Sequence, residues 1–241
     1  IYEVIPTQQK LDFFYRSNVC YGRSALMLSG GGVLGFLHVG VVSELLRQGL
    51  LPRVISGSSA GSIVAAALAA YTDEEMAELD LVGMMDSDDD GSKSVLWQWV
   101  SGMGSRLTAE DTEKLIAATI PDLTFGEAYA KTGRQVSITV APAEPHQRSR
   151  LLNAVSSPNV YLRSAAMASC AIPGVFPAVM LQAKNERGET QPYLPARRWV
   201  DGSVADDLPA KRLSRLFSTN HYIVSMVNPI ARAFLPRGDK V

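Results

Sequence analysis

Two cysteines in 241 residues, Cys20 and Cys170, are too few and too far apart for a disulfide framework, a zinc site or a redox pair. They read as reduced thiols. Histidine is as scarce, and any imidazole chemistry is confined to His38, His146 and His221. No apolar run approaches the roughly 20 residues a membrane span needs, and the Ala-rich stretch 63–71 is far shorter. A net charge of −1 excludes a global attraction to nucleic acid or to an anionic membrane, so no nucleic-acid partner is expected. The phosphate-binding pattern G-x-x-x-x-G-K-[ST] is absent. The chain opens on Ile1 without a basic-then-apolar signal segment, and is expected to be a trimmed or excised piece. Its expected place is the cytoplasm or the periphery of a membrane or lipid surface.

What is present is ordinary for a folded domain, with 46% hydrophobic and 20% charged residues. The length suits one domain spanning 1–241. Residues 25–29 form a short apolar run that ends in glycines and is followed from Leu34 by helical spacing, with Phe36, Leu37, Val41, Leu45 and Leu46 apolar. Gly49 stops that helix, 54–56 makes a second strand and 60–71 a second helix. Two parallel strands joined through a helix follow. Thr72 with Glu75 forms a capping-box pattern, and Thr108 and Thr124 are further candidate caps. Residues 135–141 alternate like a strand, 159–171 read as helix, 184–195 as a polar loop, 198–200 as a strand and 222–227 as a late buried strand. The expected fold is three-layer α/β/α with a mostly parallel central sheet, whose sites lie at the carboxyl ends of the strands.

Gly57-Ser58-Ser59-Ala60-Gly61 fits G-x-S-x-G between a strand and a helix, the setting of a nucleophile elbow. Ser59 is then the nucleophile, at the positive end of a helix. A Gly/Ser turn that merely caps the helix is the plainer reading of the pentapeptide. Gly30-Gly31-Gly32-Val33-Leu34-Gly35 follows the first strand and opens the first helix, so its backbone N–H groups are candidates to converge on an anion. The same residues satisfy the dinucleotide fingerprint G-x-G-x-x-G, but that site wants an acid about 20 positions on. No Asp or Glu occurs between Glu44 and Asp73, which disfavours a dinucleotide. With a serine nucleophile nearby, the anion is better read as a tetrahedral oxyanion.

A base is still required. His38 reads as a packed helix residue and His146 as part of a surface loop. His221 gives the chain order Ser59, Asp201, His221 of an α/β-hydrolase triad, yet it reads more readily as simply the first residue of an apolar strand. Asp201-Gly202-Ser203 stands at a strand end, either as an Asp-Gly turn or as a site residue. An aspartate acts directly as base only if burial raises its pKa and it lies within hydrogen-bond reach of the serine.

The elements GGGVLG, GSSAG and DGS, in this order, resemble the patatin-like phospholipases, a family that includes plant patatin and neutral-lipid lipases. The similarity runs from about Arg23 to Asp207. It implies a Ser59–Asp201 dyad, with Ser59 as nucleophile and Asp201 as general base, and an oxyanion hole on the backbone of Gly30, Gly31 and Gly32. Gly35, Gly57 and Gly61 are the remaining loop and elbow glycines. Cys170-Ala171-Ile172-Pro173-Gly174-Val175-Phe176-Pro177 resembles the family's apolar Pro-containing segment near the active site. Phe13-Phe14-Tyr15-Arg16, in a lead-in over 1–22, and the run 51–57 resemble its triacylglycerol-lipase branch. Two residues depart from the family pattern: Leu34 stands where many members carry Arg or Lys, and Ser203 where Gly or Ala is usual.

The implied activity is hydrolysis of fatty acyl esters through an acyl-enzyme, with a phospholipid or neutral glycerolipid as substrate and no cofactor or metal. Three alternatives stay open: an acyltransferase using the same acyl-enzyme, an esterase with the Ser59–Asp201–His221 triad, and a non-catalytic lipid-binding module. Met84, Met85, Trp97, Trp99 and Met103 fall in an irregular stretch, 83–105, that suits either a lid and lipid-contact segment or core packing. Arg148, Arg150, Arg197 and Arg198 are either a phosphate-binding cluster or solvated surface.

Overall fold

The structure, a computed structural model, describes residues 5–78, 108–144 and 146–228. The Met/Trp stretch 83–105 therefore lies outside the described residues. The described chain runs α1 (Thr7–Tyr21), β1 (Arg23–Leu28), a 3-10 turn (Gly32–Phe36), α2 (Leu37–Arg47), β2 (Val54–Gly57), α3 (Ala60–Ala70) and α4 (Asp73–Glu78). It resumes with α5 (Ala109–Thr119), α6 (Phe125–Thr132), β3 (Gln135–Pro142), β4 (Arg150–Asn153) and α7 (Leu162–Ser169). The last part holds β5 (Gln182–Lys184), β6 (Thr190–Pro192), β7 (Trp199–Asp201), α8 (Ser203–Asp206), α9 (Ala210–Phe217) and β8 (Thr219–Ser225).

The main sheet has the order β4-β3-β2-β1-β8, with β7 also paired to β3. β8, β1, β2 and β3 are mutually parallel, and β4 and β7 run antiparallel to β3. This is the mostly parallel sheet expected of strands alternating with helices.

Alternate residues of β1 divide the core between two layers, as the two-residue repeat of a strand requires. Leu26 and Leu28 join Ile55, Ile138 and Val140 in a large cluster with α3, α5, α6 and α7. Ala25 and Met27 turn to the other face, with Val54, Leu151 and the α9 residues Leu213 and Phe217. Helix α3, AGSIVAAALAA, is apolar all round and buried at all but one position, as a helix enclosed by other elements should be. Its C-terminal carbonyls are capped by buried Arg134, whose guanidinium donates to Leu68 O at 2.6 Å and to Tyr71 O.

The three threonine caps are in place. Thr72 and Glu75 exchange hydrogen bonds across the first turn of α4, and Thr108–Asp111 and Thr124–Glu127 do the same at α5 and α6. Other boundaries differ from the sequence reading. Residue 159 lies in a turn and 160–161 are extended rather than helical, because Val160 and Tyr161 bridge Ala183 and Thr124 before α7 begins. The polar stretch read as loop carries the hairpin β5–β6. The last strand begins at Thr219, three residues earlier than its apolar run, and the helix expected from Leu34 begins as a 3-10 turn.

Candidate active site

The carboxyl ends of β1 and β2 meet at one level, and β3 runs four residues beyond it. Gly57, the last residue of β2, pairs with Ile138 of β3, and Asp201 of β7 pairs with Val140, two residues further along β3. Val140 already has Arg150 of β4 on one side. Asp201 therefore lies on the other side, in line with β2 beyond the point where β2 turns away. The chain leaving Gly57 reaches Ser59 two residues later, so the register alone brings Ser59 and Asp201 together.

Ser59 sits on a sharp turn, with φ 50° and ψ −125°, a conformation that L residues adopt only under constraint. The constraint is steric. A Cβ on Gly57 would run into the Gly61 carbonyl, and one on Gly61 into the carbonyl of Leu28 on the neighbouring strand. Hydrogen bonds hold the turn as well. Ser59 N–H donates to Ser169 Oγ at 2.9 Å, Ser169 Oγ donates to Thr139 O at 2.8 Å, and Ser62 Oγ donates to Ser59 O at 2.6 Å.

Asp201 is 1% exposed. Burial pushes its carboxyl above the usual carboxylate range, opposed by hydrogen bonds from the Ser59 side chain and from Ser203, through both its N–H and its hydroxyl. The Ser203 N–H donates to Asp201 Oδ1 at 2.8 Å. Ser203, one of the two departures from the family pattern, thus meets the carboxylate through its backbone N–H. A side chain at Gly202 would strike the Thr139 carbonyl, so the Asp-Gly pair is set by close packing on β3.

The glycine loop is fixed by side chains that arrive from elsewhere. His38 of α2 is fully buried, with Nε2 2.9 Å from Ser29 O and Nδ1 2.7 Å from Ser225 Oγ on β8. Because Ser29 O only accepts, Nε2 carries the proton and Nδ1 accepts from the serine hydroxyl. Burial lowers the His38 pKa, which keeps the ring neutral in this role. Ser29 Oγ donates to Gly30 O at 2.9 Å and accepts Val227 N–H at 2.9 Å. Gly30 N–H donates to Asp207 Oδ1 at 2.7 Å.

Beside Ser59 opens a cleft of about 810 Å³ lined by Gly32, Ala60, Ile63, Thr112, Cys170, Ile172, Val175 and Phe176. The Pro-containing segment is thus one wall. Cys170 is buried there and its thiol is pushed up to about 12, chiefly by burial, so it presents an inert sulfur.

The other histidines are elsewhere. His146 is exposed in a surface loop at φ 64°. His221 pairs with Ser24 near the amino end of β1, four residues back from the Leu28–Ser225 pair, or about 13 Å along the strand. Its Nδ1 is 3.0 Å from Ser24 Oγ. The arginines also stand off the cleft: Arg150 stacks on the Trp199 ring at 5.6 Å and Arg197 donates to Gln147. Among the described residues no group of His, Cys, Asp and Glu could hold a metal ion, and no helix is long and apolar enough to cross a membrane.

Residues 26–213 match the family model of the patatin-like phospholipases. The chain belongs to this family. It is 43% identical to triacylglycerol lipase 4 of Saccharomyces cerevisiae over 86% of the chain and 24% of that protein. It is 38% identical to triacylglycerol lipase SDP1L of Arabidopsis thaliana over 97% of the chain and 31% of that protein. A patatin-like phospholipase domain-containing protein of Yarrowia lipolytica is 37% identical over 97% of the chain and 29% of its own length. The chain thus spans less than a third of the length of these relatives. Among solved structures, VipD from Legionella pneumophila aligns with a TM-score of 0.48 and 16% identity over 88% of the chain and 52% of VipD.

Several residues of this patatin-like site carry no signal in the sequence. Ser169, which holds the elbow amide, and Ser225, which holds His38, are ordinary serines inside or at the end of regular elements. Asp207 lies six residues beyond Asp201 in no motif that the sequence reading used. His38 was legible as a packed helix residue, but its grip on the glycine loop depends on β8 lying beside β1.

Proposed function

We propose that this chain is a serine acyl hydrolase working through a Ser59–Asp201 dyad. The carrying observation is the buried Asp201 carboxylate beside an elbow serine that opens on an apolar cleft. Asp201 accepts the Ser59 proton as Oγ bonds to the ester carbonyl carbon. The oxyanion is met by glycine-loop amides, with Gly32 lining the cleft beside Ser59. Collapse expels the alcohol, which takes a proton, and leaves an acyl-enzyme. Water then releases the fatty acid and restores Ser59. A pKa raised by burial suits Asp201 to this exchange, because a base is most effective when its pKa approaches the working pH.

The substrate is a fatty acyl ester of glycerol. The apolar walls of the cleft support an acyl chain, and the names of the yeast and plant relatives make triacylglycerol the first lipid to assay. Ile172 and Val175, exposed on the cleft wall, support contact with a lipid surface at the entrance. The position of His221 at the far end of β8 argues against a triad.

The test is hydrolysis of p-nitrophenyl acyl esters, then triacylglycerol and phospholipid, by the wild type and by Ser59→Ala, Asp201→Asn and His221→Ala. Ser59→Ala and Asp201→Asn should lower kcat by roughly 10⁴-fold or more, and His221→Ala should stay within about twofold. A folded His221→Ala protein as inactive as Ser59→Ala would replace the dyad with a triad. Transacylated product on adding lysophospholipid would identify a transferase.

A further inference from the structure

Asp207 joins four loops at the carboxyl edge of the sheet. Its Oδ1 accepts the N–H of Gly30, after β1, at 2.7 Å. Its main-chain carbonyl accepts the hydroxyl of Ser58, in the elbow after β2, at 3.0 Å. The side chain of Asn228, after β8, also hydrogen-bonds its carboxylate. The residue itself ends the turn that begins at Asp201. The ion pair of this turn belongs to its neighbour, since Asp206 meets Arg212 at 3.3 Å. Asp207 is a half-buried acid whose carboxyl is pushed up, first by burial and also by the negative charges of Asp201 and Asp206. Holding a carboxylate there has a cost, and its partners are hydrogen-bond donors on the loops that form the site.

We propose that Asp207 is a positioning residue for the oxyanion loop: it grips the Gly30 N–H so that the next two amides, of Gly31 and Gly32, are held toward Ser59. This rests on the acyl-transfer reading above. In it Gly30 is the anchor of the loop and its two successors are the donors. The Ser58 contact fixes the same residue to the elbow, so the distance between nucleophile and donors is set through one side chain and its own backbone. Preorganised donors act on the charge of the transition state, and losing one costs roughly 10²–10³ in kcat. A loop that shifts by about 1 Å forfeits a comparable factor.

The experiment compares Asp207→Ala, Asp207→Asn and Asp207→Glu with the wild type in ester hydrolysis and in amide hydrogen exchange over residues 29–36. Asp207→Ala should lower kcat about 30- to 300-fold with KM within about threefold, and speed exchange at the glycine loop. Asp207→Asn keeps an oxygen facing Gly30 N–H and should restore kcat to within about fivefold, with slow exchange. Asp207→Glu keeps the charge but moves the acceptor by a methylene and should lose about tenfold or more, which provides the test if the alanine variant does not fold. Asp207→Ala or Asp207→Glu within threefold of the wild type would overturn the proposal. So would Asp207→Asn as impaired as Asp207→Ala, which would assign the effect to charge. If Ser59→Ala leaves turnover intact, the acyl-transfer reading has failed, and the exchange data still decide whether Asp207 holds the loop.

Discussion

The two glycine turns at the carboxyl edge of this sheet are built from the same residue types but lean on sterics and on hydrogen bonds to different degrees. The elbow is sealed by backbone: Gly57 and Gly61 leave no room for a Cβ against main-chain carbonyls, and Ser59 takes its strained angles because nothing around it can give. The glycine loop is tied by side chains. His38, Ser225, Asp207 and the Ser29 hydroxyl hold its start. A Cβ on Gly32 would meet nothing within 4 Å, whereas one on Gly31 would meet the Val227 carbonyl and one on Gly30 the Ser203 side chain. The difference suits the proposed roles, because a nucleophile must be placed absolutely, whereas oxyanion donors need only be placed relative to it. The elbow draws its precision chiefly from sterics at both of its glycines, and the loop adds a hydrogen-bond network that can be cut one member at a time.

The comparison breaks most severely at the elbow. Gly57→Ala and Gly61→Ala should each destabilise by more than about 4 kcal/mol or yield insoluble protein, since the obstructing atoms are main-chain carbonyls with no rotamer to change. Chemical denaturation checks this. A folded Gly61→Ala protein with unaltered stability would show that the strand and α3 can separate, and that the elbow is not sealed in the way described.

The same contrast explains which parts were legible in the sequence. Steric requirements are written locally: G-x-S-x-G between a strand and a helix, and T-x-x-[DE] before a helix, name their own geometry, and both the elbow and the caps stand where those patterns put them. The order of elements and the parallel sheet follow from the same local signals. Network contacts are not written locally. Ser169 to Ser59, Ser225 to His38 and Asp207 to Gly30 are separated by 110, 187 and 177 residues, and no single chain pattern encodes them. The boundaries that shifted have a related cause. Strand β8 opens on Thr219-Asn220-His221, whose polar side chains hide a strand at the edge of the sheet, and the four-residue β4 is too short to show alternation.

The loop network should respond to pH through His38. His38 is held neutral, with its folded pKa below the unfolded value of about 6.5. Between those two values the unfolded chain binds the extra proton, so the stability the buried ring contributes is complete above about pH 6.5 and is lost as pH falls below it. Asp201 and Asp207 act in the opposite sense. Their raised folded pKa values mean that the native state binds more protons, and stability is gained as pH falls through that window. The histidine term is therefore isolated only by difference. The wild type minus His38→Gln should show a stability that falls by up to about 1.4 kcal/mol per pH unit below pH 6.5, read from urea unfolding midpoints. A flat difference between pH 5 and 7 would mean that His38 does not stay neutral on folding.

The smallest effect is expected at Gly32. Its φ of +55° lies in the left-handed region, and the space around it is open, so a side chain there meets strain and no collision. Gly32→Ala should cost about 1–2 kcal/mol in stability, the penalty of the backbone conformation alone. Gly32→Asn should cost less, because asparagine tolerates that region, and Gly32→Val should cost more, because a branched Cβ does not. The ranking Asn, Ala, Val in unfolding free energy is the signature of pure backbone strain. A different ranking that follows side-chain volume, with Asn worse than Ala, would mean that the loop is closed by packing after all, and that the two glycine turns are held in the same way.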